Sequence, residues 1–191
     1  MTTEARPAPQ PPPAWAYAGG HLEIGPGALE GDPADRQQIL ERIHRYCLGY
    51  DERRLDLLLD CFTEDAVWEG TVMGETRVGP IAGRPAIGDW LSGFWEVQRD
   101  QRRHMILNGI VEEQSVDTAT ACTYLLLLSA RDAHVSLETM GFYRYTVERE
   151  DGAWRIRHLF AGFDAPFWPG KLKDLSEKGR RRHGVFEEVE S

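Results

Sequence analysis

The chain has 191 residues, 31 acidic and 22 basic side chains, and a net charge of −9. That balance excludes a nucleic-acid surface, which needs a positive stripe to displace the counterions of phosphate; the basic run Arg180-Arg181-Arg182 reads as part of a solvated tail. Cys47, Cys61 and Cys122 are odd in number and widely spaced in apolar surroundings, which fits neither a disulfide framework nor a zinc site.

Length predicts one domain with tails and a core that needs no staples. No apolar run approaches the ~20 residues that span a bilayer, and the N-terminus lacks the basic start and apolar stretch of a signal peptide. A cytoplasmic protein with reduced thiols, no metal and no cofactor is the expectation.

Residues 1–34 hold Pro7, Pro9, Pro11, Pro12, Pro13, Pro26 and Pro33, a composition that suits neither helix nor strand. They form an expected N-terminal arm, less polar in its second half, where Trp15, Tyr17, Leu22 and Ile24 occur. The domain proper is expected over 35–165. Asp32 or Asp35 can cap a first helix running to about Tyr50, in which Ile39, Ile43, Tyr46, Cys47 and Tyr50 share one face. Asp51 follows that face directly. Leu55, Leu58, Leu59 and Phe62 carry the spacing into a second short helix, before a strand around Ala66 to Thr71 and a glycine-rich loop. Gly83-Arg84-Pro85 opens a third helix with Ile87, Leu91, Phe94 and Trp95 on its apolar side.

From His104 the period becomes that of strands, over 104–114, 117–130, 137–150 and 153–163, with Asp151-Gly152 a strong hairpin turn. Three helices followed by an antiparallel meander predict an α+β domain with the helices on one face of a curved sheet. Pro166 and Pro169 close it, and 166–191 read as a polar C-terminal tail.

The order of elements, Tyr46 with Tyr50-Asp51, Phe62-Thr63-Glu64-Asp65-Ala66, Gly83-Arg84, Ala86-Ile87, His104 with Asn108, Gly141-Phe142-Tyr143 and Asp151-Gly152-Ala153-Trp154-Arg155-Ile156 resemble the SnoaL-like branch of the nuclear transport factor 2-like superfamily over about residues 35–165. The resemblance implies a conical barrel: a curved mixed, mostly antiparallel sheet with three N-terminal helices packed on its concave face around one open pocket. Within the branch the chain is similar to scytalone dehydratase and the bacterial bile-acid 7α-dehydratase. Tyr50-Asp51 sits where scytalone dehydratase has its Tyr-Asp, and His104 at its catalytic histidine. The second catalytic histidine of that enzyme would fall near Leu128 or Ser129, where this chain has none.

Elimination of water beside a carbonyl needs a base, a donor to the enolate oxygen and a proton for the leaving hydroxyl. His104 with Asp51 is the candidate base and its orienting carboxylate; Tyr46 and Tyr50 are, by resemblance, the candidate donors. Strand alternation puts Asn108 on the same face as His104, and His158 on a face with Trp154, Ile156 and Phe160, as further polar candidates. Trp68, Trp90, Phe94, Trp95, Met140 and Phe142 are candidate lining for a fused-ring or polyketide-like ligand. Each also has a plain reading: a helix-end carboxylate, a strand histidine, core aromatics.

The expected function is a cofactor-free lyase or isomerase, first a dehydratase acting on a hydrophobic hydroxy-carbonyl or polycyclic metabolite. A polyketide cyclase, and a non-catalytic binding or assembly subunit such as the small subunit of a ring-hydroxylating dioxygenase, are the alternatives. The resemblance also implies a homodimer or higher homo-oligomer.

Overall fold

Helix α1, Pro33–Asp51, begins where Asp32 accepts the amide of Ala34 at 2.8 Å and Pro33 fills the first turn. The computed structural model describes residues 31–74, 76–166 and 186–188. The arm to residue 30, and most of the tail with Pro169 and Arg180 to Arg182, lie outside them. The capping choice left open between Asp32 and Asp35 falls to Asp32; Asp35 instead accepts from the Trp154 indole and Arg149.

The apolar face of α1 buries Ile39, Ile43, Tyr46 and Cys47. A turn with Arg53 at φ 53° reverses the chain into α2, Leu55–Asp60. The two helices meet at Gly49, where a Cβ would come within 2.9 Å of the Leu58 backbone, so only glycine permits this approach. Leu58 is fully buried, whereas Leu55 is half exposed. After β1, Phe62–Val72, the stretch expected as a glycine-rich loop forms a strand, β2, Thr76–Ala82. Gly79-Pro80 is an unfavourable strand segment, because proline cannot donate to a ladder. β2 tolerates it because its outer neighbour, β7 (Phe186–Glu188), pairs only with residues 76–78. Helix α3, Arg84–Trp95, begins at Gly83 with Pro85 in its first turn, as the spacing predicts, and buries Ile87, Trp90 and Leu91.

The remaining strands are β3 (Gln101–Gln114), β4 (Thr118–Arg131), β5 (His134–Glu150) and β6 (Ala153–Phe163). Asp151 and Gly152 have φ of 51° and 77°, the two left-handed positions of a tight hairpin. Asp132 and Ala133 do the same between β4 and β5, so β4 ends at Arg131 rather than 130 and β5 begins at His134 rather than 137.

The sheet order is β3-β4-β5-β6-β1-β2-β7, antiparallel except for the parallel β1–β6 pair. It is a curved mixed sheet, open between β3 and β7, with the three helices on its concave face. Trp68, Leu125, Tyr143, Tyr145, Leu159 and Ala161 point at the helices and are buried with them.

Two bulges decide which residues share that face. Leu107 pairs with Tyr124 and Ile110 with Cys122, so Asn108 and Gly109 together oppose one residue of β4. The alternation flips there: a Cβ on Gly109 would meet Leu40 of α1, and Val111 enters the core, while Asn108 stands exposed at φ 51°. The second bulge, at Arg157, lies between the Val147–Ile156 and Thr146–His158 pairs. Trp154 and Ile156 face the core, and His158 and Phe160 do not.

Candidate active site

Asp51 occupies the last turn of α1 with its side chain 4% exposed. A negative charge at a helix C-terminus opposes the helix dipole, so the position needs compensation. β3 supplies it: Oδ2 accepts the His104 backbone N–H at 2.8 Å, and Oδ1 lies 2.6 Å from His104 Nδ1. The carboxylate has no proton to give, so the bond sets the imidazole tautomer with hydrogen on Nδ1 and a lone pair on Nε2. Nε2 bonds to no described residue. Gln101 donates to the Asp51 carbonyl at 3.0 Å, fastening the same helix end to β3.

Tyr50 packs edge-on against His104, ring centres 5.1 Å apart, and at a tilt of 57° against Trp95, 5.9 Å away. Its hydroxyl donates to Gln98 Oε1 at 3.3 Å, and Gln98 Nε2 donates to the Asp100 carbonyl. The Asp100 carboxylate accepts Ser129 Oγ at 2.5 Å and pairs with the buried Arg102 guanidinium. Ser129 therefore faces inward, at the position where resemblance led us to look for a second histidine. Burial pushes the Tyr50 phenol above its ordinary value, partly opposed by the nearby Arg102 charge.

Tyr46 lies deeper, 3% exposed, and its oxygen accepts the Trp68 indole N–H at 3.1 Å. Burial raises this phenol strongly, so at neutral pH it keeps its proton and remains a donor. Tyr143 of β5 stands edge-on to Tyr46 at 6.2 Å; it too is raised by burial, and its hydroxyl bonds to no described residue. Trp68 and Trp90 pack with centres 4.5 Å apart, and Trp90 meets Phe94 at 5.0 Å, forming an aromatic wall on the inward side.

The fold thus brings Asp51, His104, Tyr50, Tyr46, Trp68, Trp90 and Phe94 to one side of the sheet. It does not bring Asn108, His158, Met140 or Phe142. Asn108 is turned away by its bulge. His158 Nε2 bonds Glu69 on the helix-free face at 2.9 Å. Met140 and Phe142 alternate with the inward Gly141 and Tyr143, so Met140 is 49% exposed and Phe142 stacks on Phe160 on the outer face. Gln98, Asp100, Arg102, Ser129 and Tyr143 were missed by the sequence expectations. The alternation that makes Gly141 inward also makes Tyr143 inward, and the polar run 98–102 just before His104 was the signal for Gln98, Asp100 and Arg102.

Among the described residues no three His, Cys, Asp or Glu are grouped to hold a metal ion. No helix among them is long and apolar enough to cross a membrane.

No curated protein matches the chain. Solved structures match its fold. An NTF2-like protein with a cystatin-like fold from Novosphingobium aromaticivorans is 20% identical, with TM-score 0.59, over 74% of this chain and 88% of the other. A Catenulispora acidiphila protein, solved in complex with S-DNPA, is 24% identical with TM-score 0.59, over 70% and 96% of the two chains. A protein provisionally named as the beta subunit of an aromatic-ring-hydroxylating dioxygenase from N. aromaticivorans is 15% identical with TM-score 0.58, over 69% and 90%. At these identities the likeness concerns the fold. The model of the SnoaL-like domain matches residues 32–159, from the cap of α1 through most of β6, and the chain belongs to the SnoaL-like family.

Proposed function

We propose that this protein is a cofactor-free lyase or isomerase, foremost a dehydratase that removes water beside a carbonyl of a hydrophobic, polycyclic metabolite. His104 Nε2 takes the proton from the carbon next to the carbonyl, and Asp51 stabilises the imidazolium that forms. The enolate oxygen is met by a phenol, Tyr46 or Tyr143, that burial keeps protonated. The Trp68 N–H on the Tyr46 oxygen polarises that phenol's own O–H toward an acceptor. The imidazolium then returns its proton to the departing hydroxyl. A cyclase would use the same groups to make a carbon–carbon bond.

The observation that carries this reading is the 2.6 Å contact of Asp51 with His104 Nδ1, with Nε2 bonded to no described residue. The test is to screen fused-ring β-hydroxyketones by the ultraviolet absorbance of the conjugated product, in the wild type and in His104→Ala. We expect turnover to fall by about 10²–10⁴-fold while the far-ultraviolet dichroism is unchanged. Wild-type turnover in the variant overturns the assignment.

Self-association through the outer face of the sheet goes with this reading. Met105, Leu107, Ile110, Tyr124, Leu137 and Met140 are 37–56% exposed there, an apolar patch that suits a second copy of the chain. The second functional reading, a non-catalytic assembly subunit, draws on the likeness to the dioxygenase beta subunit. It expects co-purification with an oxygenase large subunit and no effect of His104→Ala on that complex. We place the protein in the cytoplasm, in keeping with its three buried, unpaired cysteines.

A further inference from the structure

Gln98 lies just beyond α3, and each of its polar groups is bonded. Its N–H donates to the Phe94 carbonyl at 2.9 Å, its own carbonyl accepts from Arg53 at 3.3 Å, and its side-chain NH₂ donates to the Asp100 carbonyl at 3.1 Å. That last bond fixes which way the amide points, because a carbonyl can only accept. Oε1 is therefore the end that meets the Tyr50 hydroxyl, 3.3 Å away, and since it too can only accept, Tyr50 must be the donor. Gln98 is 4% exposed, so losing either side-chain partner leaves a buried polar group unpaired. His104 is the neighbour affected. Asp51 holds one atom of its imidazole, Nδ1, while the Tyr50 ring stands against it with planes at 80° and centres 5.1 Å apart. The phenol has a single proton, and Gln98 holds it.

We propose that Gln98 is a positioning residue of the candidate site: by taking the Tyr50 proton it holds the phenol ring against His104, so that Asp51 and Tyr50 together fix the direction of Nε2, and Tyr50 itself gives no proton to a substrate. The catalytic half of the inference rests on the dehydratase reading; the placement of the ring does not. A Gln98 that merely ties the segment 96–100 to α3 and to the Arg53 turn predicts lower stability with the His104 ring undisturbed.

The experiment compares Gln98→Leu, Tyr50→Phe and the double variant with the wild type, each as the full chain. In the substrate-free protein the ring-proton signals of His104, identified by their absence from His104→Ala, report the ring current of residue 50, and nuclear Overhauser contacts between the two rings report their separation. We expect each single variant to shift the His104 signals and weaken those contacts, and the double variant to do no more than either, because all three lose one and the same bond. His104-dependent turnover should fall about 10–10²-fold in each, in kcat rather than KM. Unmoved His104 signals in a folded Gln98→Leu, or in Tyr50→Phe should Gln98→Leu fail to fold, overturn the inference and leave the dehydratase reading standing. A much deeper loss of turnover in Tyr50→Phe than in Gln98→Leu also overturns it, because Tyr50 is then a donor in its own right. If the signals move as expected while His104→Ala keeps wild-type turnover, the positioning holds and the dehydratase reading falls.

Discussion

Replacing Asp51 by asparagine separates the geometry of the candidate dyad from its charge. The backbone N–H of His104 can only donate, so it claims the single amide oxygen, and the amide NH₂ must face Nδ1. Nδ1 then becomes an acceptor, the ring proton moves to Nε2, and the lone pair that would remove a substrate proton is gone. A tautomer switch of this kind costs on the order of 10³–10⁴-fold in turnover. Stability should change far less. One charge-assisted bond is lost, about 1.5–3 kcal/mol, offset by about 0.3–1 kcal/mol because a negative charge leaves the C-terminal end of a 19-residue helix. The net loss of roughly 1–2 kcal/mol corresponds to a fall in Tm of roughly 3–6 °C for a chain of this size. Long-range ¹H–¹⁵N correlation spectra assign the protonated nitrogen of His104 directly and need no substrate. Hydrogen still on Nδ1 in Asp51→Asn, or turnover equal to wild type with the proton moved, would refute the reasoning.

Gly141 faces the helices where a Cβ would lie 1.9 Å from the Gly162 carbonyl oxygen, so Gly141→Ala should force β5 from β6 and cost about 1–3 kcal/mol, read by urea denaturation. Unchanged stability would show that the ladder gives there without penalty. Tyr124→Glu with Met140→Lys should convert the proposed dimer to a folded monomer, measured by sedimentation velocity; an unchanged sedimentation coefficient with a folded spectrum removes the outer face from the interface. Asp60 is held below the ordinary carboxylate value of 3.8, first by its bond from Arg155 and then by Arg42. Its ionised form is the one the fold favours, so its stabilisation is complete above pH 3.8 and is lost as the pH falls through the lower folded value. The carboxylate is half exposed, so Asp60→Asn should cost no more than about 1 kcal/mol at pH 7. The gap from wild type should close as the pH falls below 3.8 in thermal melts. A gap independent of pH would assign the loss to packing.

The elements of this protein were legible in its sequence because the signals that make them are local. Asp32-Pro33, Gly83-Arg84-Pro85 and Asp151-Gly152 each satisfy a backbone requirement within a few residues, and they set boundaries that the fold keeps. β2 was illegible for the complementary reason: Gly79-Pro80 is a poor strand segment that is held by β1 on one side and left unpaired at Pro80 on the other. Asp51 and His104 stood out as a pair through family resemblance, and the fold places them 2.6 Å apart across 53 positions of chain.

Which side of the sheet a residue faces was a different matter. Strand alternation divides residues into two sets but does not say which set meets the helices when both are apolar, as with Met140 and Phe142 against Gly141 and Tyr143. Nor does it survive an inserted residue. The bulges at Asn108-Gly109 and Arg157 reset the period, carrying Asn108 and His158 to the outer face and Gly109 and Val111 to the inner one. The sequence by itself determined the three helices and the strands β1 and β3 to β6 in their order, because caps, turns and periodicity act over a few residues. Only the tertiary structure decided the membership of the site, because facing is set by the packing of helices on the sheet and by the register of neighbouring strands.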